Sequence, residues 1–232
     1  MNDTMSSLTR RKIYRKLETM QQLILDIRPQ DAPTLAGYIP GPNVEVLEQL
    51  RRWAAQTERP PLYLWGPTAS GKTHLLKALA GSVGPAYAAG TVPVEIAGGL
   101  ALDDVEQLDA NAQIRAFDAF NRCRENCLPW LASGSSAPAA LAVRADLQSR
   151  LSWGLVLRLK ELSDDAKRAA LLARAARHGF RLDPAIADYL LTHRSRDLGR
   201  LLAVIDALDR LSLQLKRQVT LPLLKTLLPD QA

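Results

Sequence analysis

Apolar positions change their period repeatedly along this chain. Val44, Leu47, Leu50 and Trp53 recur at helical spacing, which predicts a helix over Val44–Gln56. Pro60-Pro61 stops it, and Leu62-Tyr63-Leu64-Trp65 follows as a short unbroken apolar run, the form of a buried strand. The same alternation continues downstream. Helices are predicted from Lys72 to about Ala80, over Ala112–Glu125 and over Asp146–Leu151. Strands are predicted at Ala86-Tyr87-Ala88 (weakly), Gly99–Asp104, Leu128–Ser133 and Leu155–Leu159. Strands alternating with helices predict an α/β fold, a mostly parallel sheet sandwiched by helices.

After Leu159 the strand signal ceases. Ser163-Asp164-Asp165 reads as an N-cap for a helix over Ala166–His178, with Gly179 closing it. A second helix starts at Asp183-Pro184 and runs toward Leu191. A third, Asp197–Lys216, carries Leu198, Leu201, Leu202, Ile205, Leu208 and Leu211 on one stripe, and Thr220–Leu228 closes the chain. This is a small helical bundle. The expected organisation is a polar, basic leader over 1–19, an extended arm over 20–43, an α/β domain over 44–161 and a helical domain over 162–232. The leader is expected to be disordered, or to precede a native start at Met20.

The turn after the first strand carries the candidate chemistry. Gly66-Pro67-Thr68-Ala69-Ser70-Gly71-Lys72-Thr73 fits Gly-x-x-x-x-Gly-Lys-Thr between a strand and a helix, the setting that a P-loop requires. Gly66 and Gly71 permit backbone conformations that a Cβ would block. Successive N–H groups can then face phosphate oxygens, and the helix opening at Lys72 adds the positive end of its dipole. Lys72 is expected to reach the β- and γ-phosphates, and the Thr73 hydroxyl to ligate Mg²⁺. Downstream, Leu100-Ala101-Leu102-Asp103-Asp104 fits a Walker B strand, whose acids meet the P-loop at the carboxyl edge of a parallel sheet. Asp103 is expected to hold Mg²⁺ through water and Asp104 to polarise an attacking water.

Bulk numbers narrow the picture. The 232 residues suffice for one large domain or two small ones. A hydrophobic share of 47% with 23% charged residues is that of an ordinary globular protein. No apolar run is long enough to span a bilayer, and Met1–Arg28 lacks the apolar centre of a signal peptide, so a cytoplasmic address is expected. Cys123 and Cys127 fall in one predicted helix, with no second Cys/His pair to complete a zinc site, and read as packing residues. The net charge of +6, partly from Arg10, Arg11, Lys12, Arg15 and Lys16, fits an anionic partner without choosing among nucleotide, acidic protein and nucleic acid.

From about residue 20 onward the chain resembles the AAA+ ATPases of the DnaA initiator group, and within it the regulators that inactivate DnaA rather than DnaA itself. Tyr38-Ile39-Pro40-Gly41-Pro42-Asn43 resembles the box on the adenine side of the nucleotide. Leu102-Asp103-Asp104-Val105-Glu106 resembles the initiator Walker B. Leu147-Gln148-Ser149-Arg150-Leu151-Ser152-Trp153-Gly154 resembles the box with the arginine finger, Arg150 standing in the finger position. Arg196-Asp197-Leu198 resembles sensor 2, where Arg196 touches the phosphates from a helical lid. In the arm, Gln22-Leu23-Ile24-Leu25-Asp26-Ile27 resembles the peptide with which such regulators dock on the β sliding clamp, with Gln22, Leu23, Leu25 and Ile27 as contacts.

The resemblance implies that ADP or ATP, with Mg²⁺, binds residues 66–73 and His74. It makes Arg150, Asp104 and Arg196 the catalytic residues, with Arg150 acting in trans on ATP held by DnaA. It implies DnaA and the β subunit of DNA polymerase III as partners, DNA only indirectly through the clamp, no membrane, and room for a homodimer. The outcome would be a brake on the initiation of chromosomal replication. Three departures matter. No helix-turn-helix domain is expected after the helical domain. The stretch from Tyr87 to Gly99 is short where initiators carry an insertion that steers filaments. At sensor 1, near Ser133-Gly134-Ser135, the family's Asp-Arg-Pro-Pro is replaced by Ser135-Ser136-Ala137-Pro138, which weakens the expectation of hydrolysis in cis. Two other functions stay open on sequence alone: an autonomous ATPase that remodels or loads a replication protein, and a DNA-binding initiator relative.

Overall fold

The structure is a computed structural model and describes residues 32–193, 197–215, 220, 221 and 224. It divides into two compact units, 31–162 and a helical unit beginning at Ser163.

The first unit is built on five strands: β1 (Leu62–Trp65), β2 (Ala86–Ala89), β3 (Leu100–Asp103), β4 (Trp130–Gly134) and β5 (Leu155–Arg158). They lie in the order β2-β3-β4-β1-β5, and every pairing is parallel. Four helices connect and cover them: α1 (Val44–Ala55), α2 (Lys72–Val83), α3 (Ala110–Glu125) and α4 (Ala145–Leu151). Register places Leu62 opposite Leu131 and Leu155, and Trp65 opposite Gly134 and Arg158, so three carboxyl ends finish level.

Strand periodicity sorts the side chains. Leu62 and Leu64 face one layer, with Leu47, Leu50 and Trp53 of α1 and Leu75, Leu76 and Leu79 of α2. Tyr63 faces the other, with Ala112, Ala116, Ala119 and Phe120 of α3 and Leu147 and Leu151 of α4. β3 and β4 are buried along their whole length, which is why they read as continuous apolar runs rather than alternating ones. The run of small residues along α3 is the price of close approach to that sheet face: Ala112, Ala116 and Ala119 are at most 1% exposed.

The strand ends differ slightly from the sequence reading. β3 stops at Asp103, because Asp104 takes a left-handed conformation with φ 50°. That conformation is tolerated by Asp better than by most residues. α3 begins two residues earlier than the apolar spacing suggests, because the Asp109 carboxylate accepts the Ala112 N–H at 2.7 Å and caps the helix there. Cys127 lies beyond the end of α3, at φ 52°, and both cysteines are free thiols.

The second unit comprises α5 (Asp164–Arg177), α6 (Pro184–His193) and α7 (Leu198–Leu215). Leu171, Ala175, Ile186, Leu190, Leu201, Ile205 and Leu208 form its core. The Ser163 hydroxyl caps α5 by accepting the Ala166 N–H, as the sequence pattern predicts, and Gly179 ends it at φ 80°. Arg174 joins α5 to α7 through a two-pronged pair with Asp206, at 2.7 and 2.8 Å. Among the described residues no helix is long and apolar enough to cross a membrane.

One side chain ties the approach to the sheet. Asn43, 1% exposed, donates to the Tyr38 hydroxyl at 3.1 Å and to the Lys160 carbonyl at 2.8 Å, and accepts the Lys160 N–H at 2.8 Å. The segment before α1 is thereby fixed to the chain leaving β5. Asn43→Ala removes one donor from the Tyr38 hydroxyl, which keeps its bond to the Ser70 carbonyl, and both partly buried bonds to the Lys160 backbone, and is expected to cost about 1–3 kcal/mol. Urea unfolding checks this: the midpoint should fall with the slope unchanged.

Candidate functional site

β1 delivers the chain to Gly66, whose N–H bonds to the Gly134 carbonyl of β4 at 3.3 Å. A Cβ at Gly66 would lie 2.4 Å from the Leu159 carbonyl oxygen, so only glycine fits against β5's exit. Gly71, at φ 92°, would place a Cβ 2.6 Å from the Tyr38 ring. The turn also needs a left-handed residue at Ala69, φ 63°, which the sequence supplies without a glycine. Ser70 is 1% exposed, its carbonyl accepts the Tyr38 hydroxyl at 3.1 Å, and its own hydroxyl oxygen is buried with no partner.

The loop runs directly into α2. The first hydrogen bond inside this helix is Leu75 N–H to Gly71 carbonyl, 3.0 Å, and no side chain caps its start. The N–H groups of the first turn therefore keep the free donors and positive dipole end that anions seek. Lys72 is 8% exposed and its ammonium donates to the Gly66 and Pro67 carbonyls at 2.9 and 3.1 Å. Thr73 is exposed on that first turn, and the His74 ring packs 5.9 Å from Tyr38 and bonds to the Thr34 carbonyl at 3.0 Å. The segment around Tyr38 is thus packed on the loop it was expected to adjoin.

Asp103 ends β3 at the same sheet edge, 2% exposed. One of its oxygens accepts the Tyr87 hydroxyl of β2 at 2.9 Å, and the other accepts the Ser133 hydroxyl of β4. Ser133 also accepts the Asp104 N–H at 3.2 Å. The Asp104 carboxyl is held above the usual carboxylate range, first by lost hydration and then by the charges of Asp103 and Glu106, with Lys72 opposing them. Glu106 accepts the Ser135 N–H at 2.9 Å, and the Tyr63 hydroxyl donates to the Ser136 carbonyl at 2.8 Å, so two side chains fasten the turn that departs from the family pattern. Among the described residues no cluster of three or more His, Cys, Asp or Glu could cage a metal.

These residues fit a phosphate chain. The helix start is uncapped, the Ser70 hydroxyl lacks a partner and Lys72 supplies positive charge. Thr73 and Asp103 could hold Mg²⁺ only together with phosphate oxygens and water, the manner in which this ion is usually bound.

Arg150 belongs to the last turn of α4. Its guanidinium carbon lies 5.2 Å from the Phe117 ring, 5.7 Å from Phe120 and 5.3 Å from Trp153. Its Nε is buried without a hydrogen-bond partner, and no carboxylate forms an ion pair with it among the described residues. Aromatic faces steady a guanidinium without cancelling its charge. Arg196 and the arm residues Gln22, Leu23, Leu25 and Ile27 lie outside the described residues. The sequence reading missed Tyr87 as a partner of Asp103; pairing β2 with β3, which puts Ala89 opposite Asp103, is the signal that locates it.

A parallel sheet in this order, with a P-loop after β1 and an acid-ended β3, followed along the chain by a helical unit, defines the AAA+ fold. Solved structures bear this out. Domain III of Thermotoga maritima DnaA superposes with a TM-score of 0.69 at 20% identity, covering 88% of this chain and 98% of that one. DnaA of Aquifex aeolicus, bound to AMPPCP, gives 0.59 at 21%, covering 82% and 67%. The Thermotoga maritima RuvB branch migration motor gives 0.57 at 18%, covering 84% and 70%. A Haemophilus influenzae protein, described only as uncharacterised, is 32% identical over 227 residues, which is 90% of this chain and 98% of that one. Residues 164–228 match the family model described as the lid domain of Hda. The chain belongs to the Hda-like AAA+ proteins.

Replacing Asp104 by Asn removes a carboxylate that repels Asp103 and Glu106, and Asn tolerates a left-handed backbone. A raised folded pKa means that ionised Asp104 opposes folding. The opposition is full above the raised value and vanishes as pH falls below the ordinary 3.8, where folded and unfolded chains are both protonated. Asp104→Asn should therefore raise Tm at neutral pH and leave it unchanged in acid. Thermal unfolding across that window is the check.

Proposed function

We propose that this protein regulates the initiator DnaA by completing the ATP site of DnaA with Arg150. In this reading an adenine nucleotide binds residues 66–73, keeping the AAA+ unit competent to meet its partner. The arm segment Gln22–Ile27 docks on the β sliding clamp. Clamp-loaded DNA then gathers the protein where initiation has already occurred, and tethering raises its effective concentration there. The Aquifex DnaA relative carries AMPPCP, which supports an adenine nucleotide here as well.

The observation that carries the reading is the state of Arg150. Its cation rests on three aromatic rings with no described acid to neutralise it. A guanidinium bound in a carboxylate pair would have to give up that pair before serving a phosphate. Arg150 keeps its charge and its planar fork for a triphosphate presented by another chain. Beside a transferring phosphoryl group, such a cation stabilises charge that builds only in the transition state. The protein's own Asp103 and Asp104 then belong to binding its resting nucleotide, and Arg150 to hydrolysis elsewhere.

The test is DnaA-ATP hydrolysis measured with this protein and clamp-loaded DNA. Arg150→Ala should lower the stimulated rate by about 10³-fold or more, the range for a trans-acting arginine, while nucleotide affinity stays within about twofold. Joint replacement of Gln22 and Leu25 by Ala should abolish the dependence on clamp-loaded DNA. A rate unchanged by Arg150→Ala would remove the assignment.

A further inference from the structure

Asp103 is the acid expected to face magnesium, yet both of its oxygens already accept hydroxyl donors from the protein. Ser133 comes from the neighbouring strand β4, on the side of the P-loop strand. Tyr87 comes from β2, the edge strand on the opposite side, and donates to Oδ2 at 2.9 Å. Register explains its reach: Tyr87 pairs with Ala101, two residues before Asp103, and its long side chain spans the remaining distance along β3. The Lys77 ammonium lies 4.7 Å over the ring and fixes it from the α2 side.

Hydrated magnesium presents one kind of group to a carboxylate in its outer shell: the O–H of a bound water. A phenol O–H is the same kind of donor, directed at the same oxygen. Each carboxylate oxygen offers two acceptor positions, so the phenol takes one of those on Oδ2 and draws on the same negative charge, and a carboxylate already engaged twice offers a weaker hold on the hydrated ion. We propose that Tyr87 is a positioning residue that engages Asp103 in place of a magnesium-bound water and makes nucleotide binding by this cradle nearly independent of magnesium. The inference rests on the reading that residues 66–73 hold a nucleotide. It assigns the chain a resting state in which the nucleotide is kept and the metal needed for its turnover is not held firmly.

Tyr87→Phe tests this, because it deletes the donor and keeps the ring beneath Lys77. Affinity of the full chain for a fluorescent ADP analogue is measured with EDTA and with excess MgCl₂. The wild type should bind within about twofold under the two conditions. Tyr87→Phe should bind about three- to tenfold more tightly with magnesium than with EDTA, the scale of one released hydrogen bond. Mn²⁺ titration of the two ADP-bound proteins, followed by electron paramagnetic resonance, should show the same ordering. An equal magnesium gain in both proteins would overturn the proposal. So would a loss of affinity in the variant under both conditions, which assigns Tyr87 a purely structural role. Absence of ADP binding by the wild type in either buffer would instead strike the nucleotide reading itself.

Discussion

A cradle of backbone N–H groups forms only where no side chain intrudes, and this constraint organises the α/β unit. At Gly66 the neighbouring Leu159 carbonyl and at Gly71 the Tyr38 ring occupy the space a Cβ would need. The crowding has a use. Tyr38 packs on the loop, Asn43 bonds Tyr38, and Asn43 also bonds both backbone groups of Lys160. The P-loop is therefore held from outside by the segment before α1 and by the exit of β5, which leaves its inner surface to amides. The parallel sheet does the rest by bringing Trp65, Asp103, Gly134 and Arg158 to one edge.

Charge at that edge is unevenly distributed. Asp103, Asp104 and Glu106 lie together, and Lys72 is the cation that offsets them. Hydroxyl and amide donors from Tyr87, Ser133 and the Ser135 backbone take up part of the negative charge. Arg150 shows the opposite arrangement. Its guanidinium packs against aromatic faces with no acid among the described residues paired to it, an arrangement that would suit the trans-acting role proposed for it.

Much of this was legible in the sequence, for identifiable reasons. Leu62–Trp65 and the P-loop could be placed to the residue, because glycine, lysine and the apolar run leave little choice. Ser163 and Gly179 announced both ends of α5 through capping chemistry. The Tyr38–Asn43 box was recognisable as a motif, but its anchor at Lys160 was not, since that contact joins positions 117 apart with no local pattern. The start of α3 at Ala110 hid behind Asp109, whose capping role outweighs the apolar spacing used to set the boundary. Tyr87 escaped notice because β2 is a short, half-exposed edge strand, and its partner emerges only once β2 is paired with β3.

The central claim is that the loop at residues 66–73 grips a nucleotide while Arg150 stays free for another chain. A crystal structure of this protein grown with ADP tests it most directly. The account predicts a diphosphate within hydrogen-bond distance of the N–H groups of residues 70–73, with the Arg150 guanidinium still on its aromatic rings and away from that diphosphate. ADP seated elsewhere, or Arg150 bonded to the protein's own nucleotide, would contradict it.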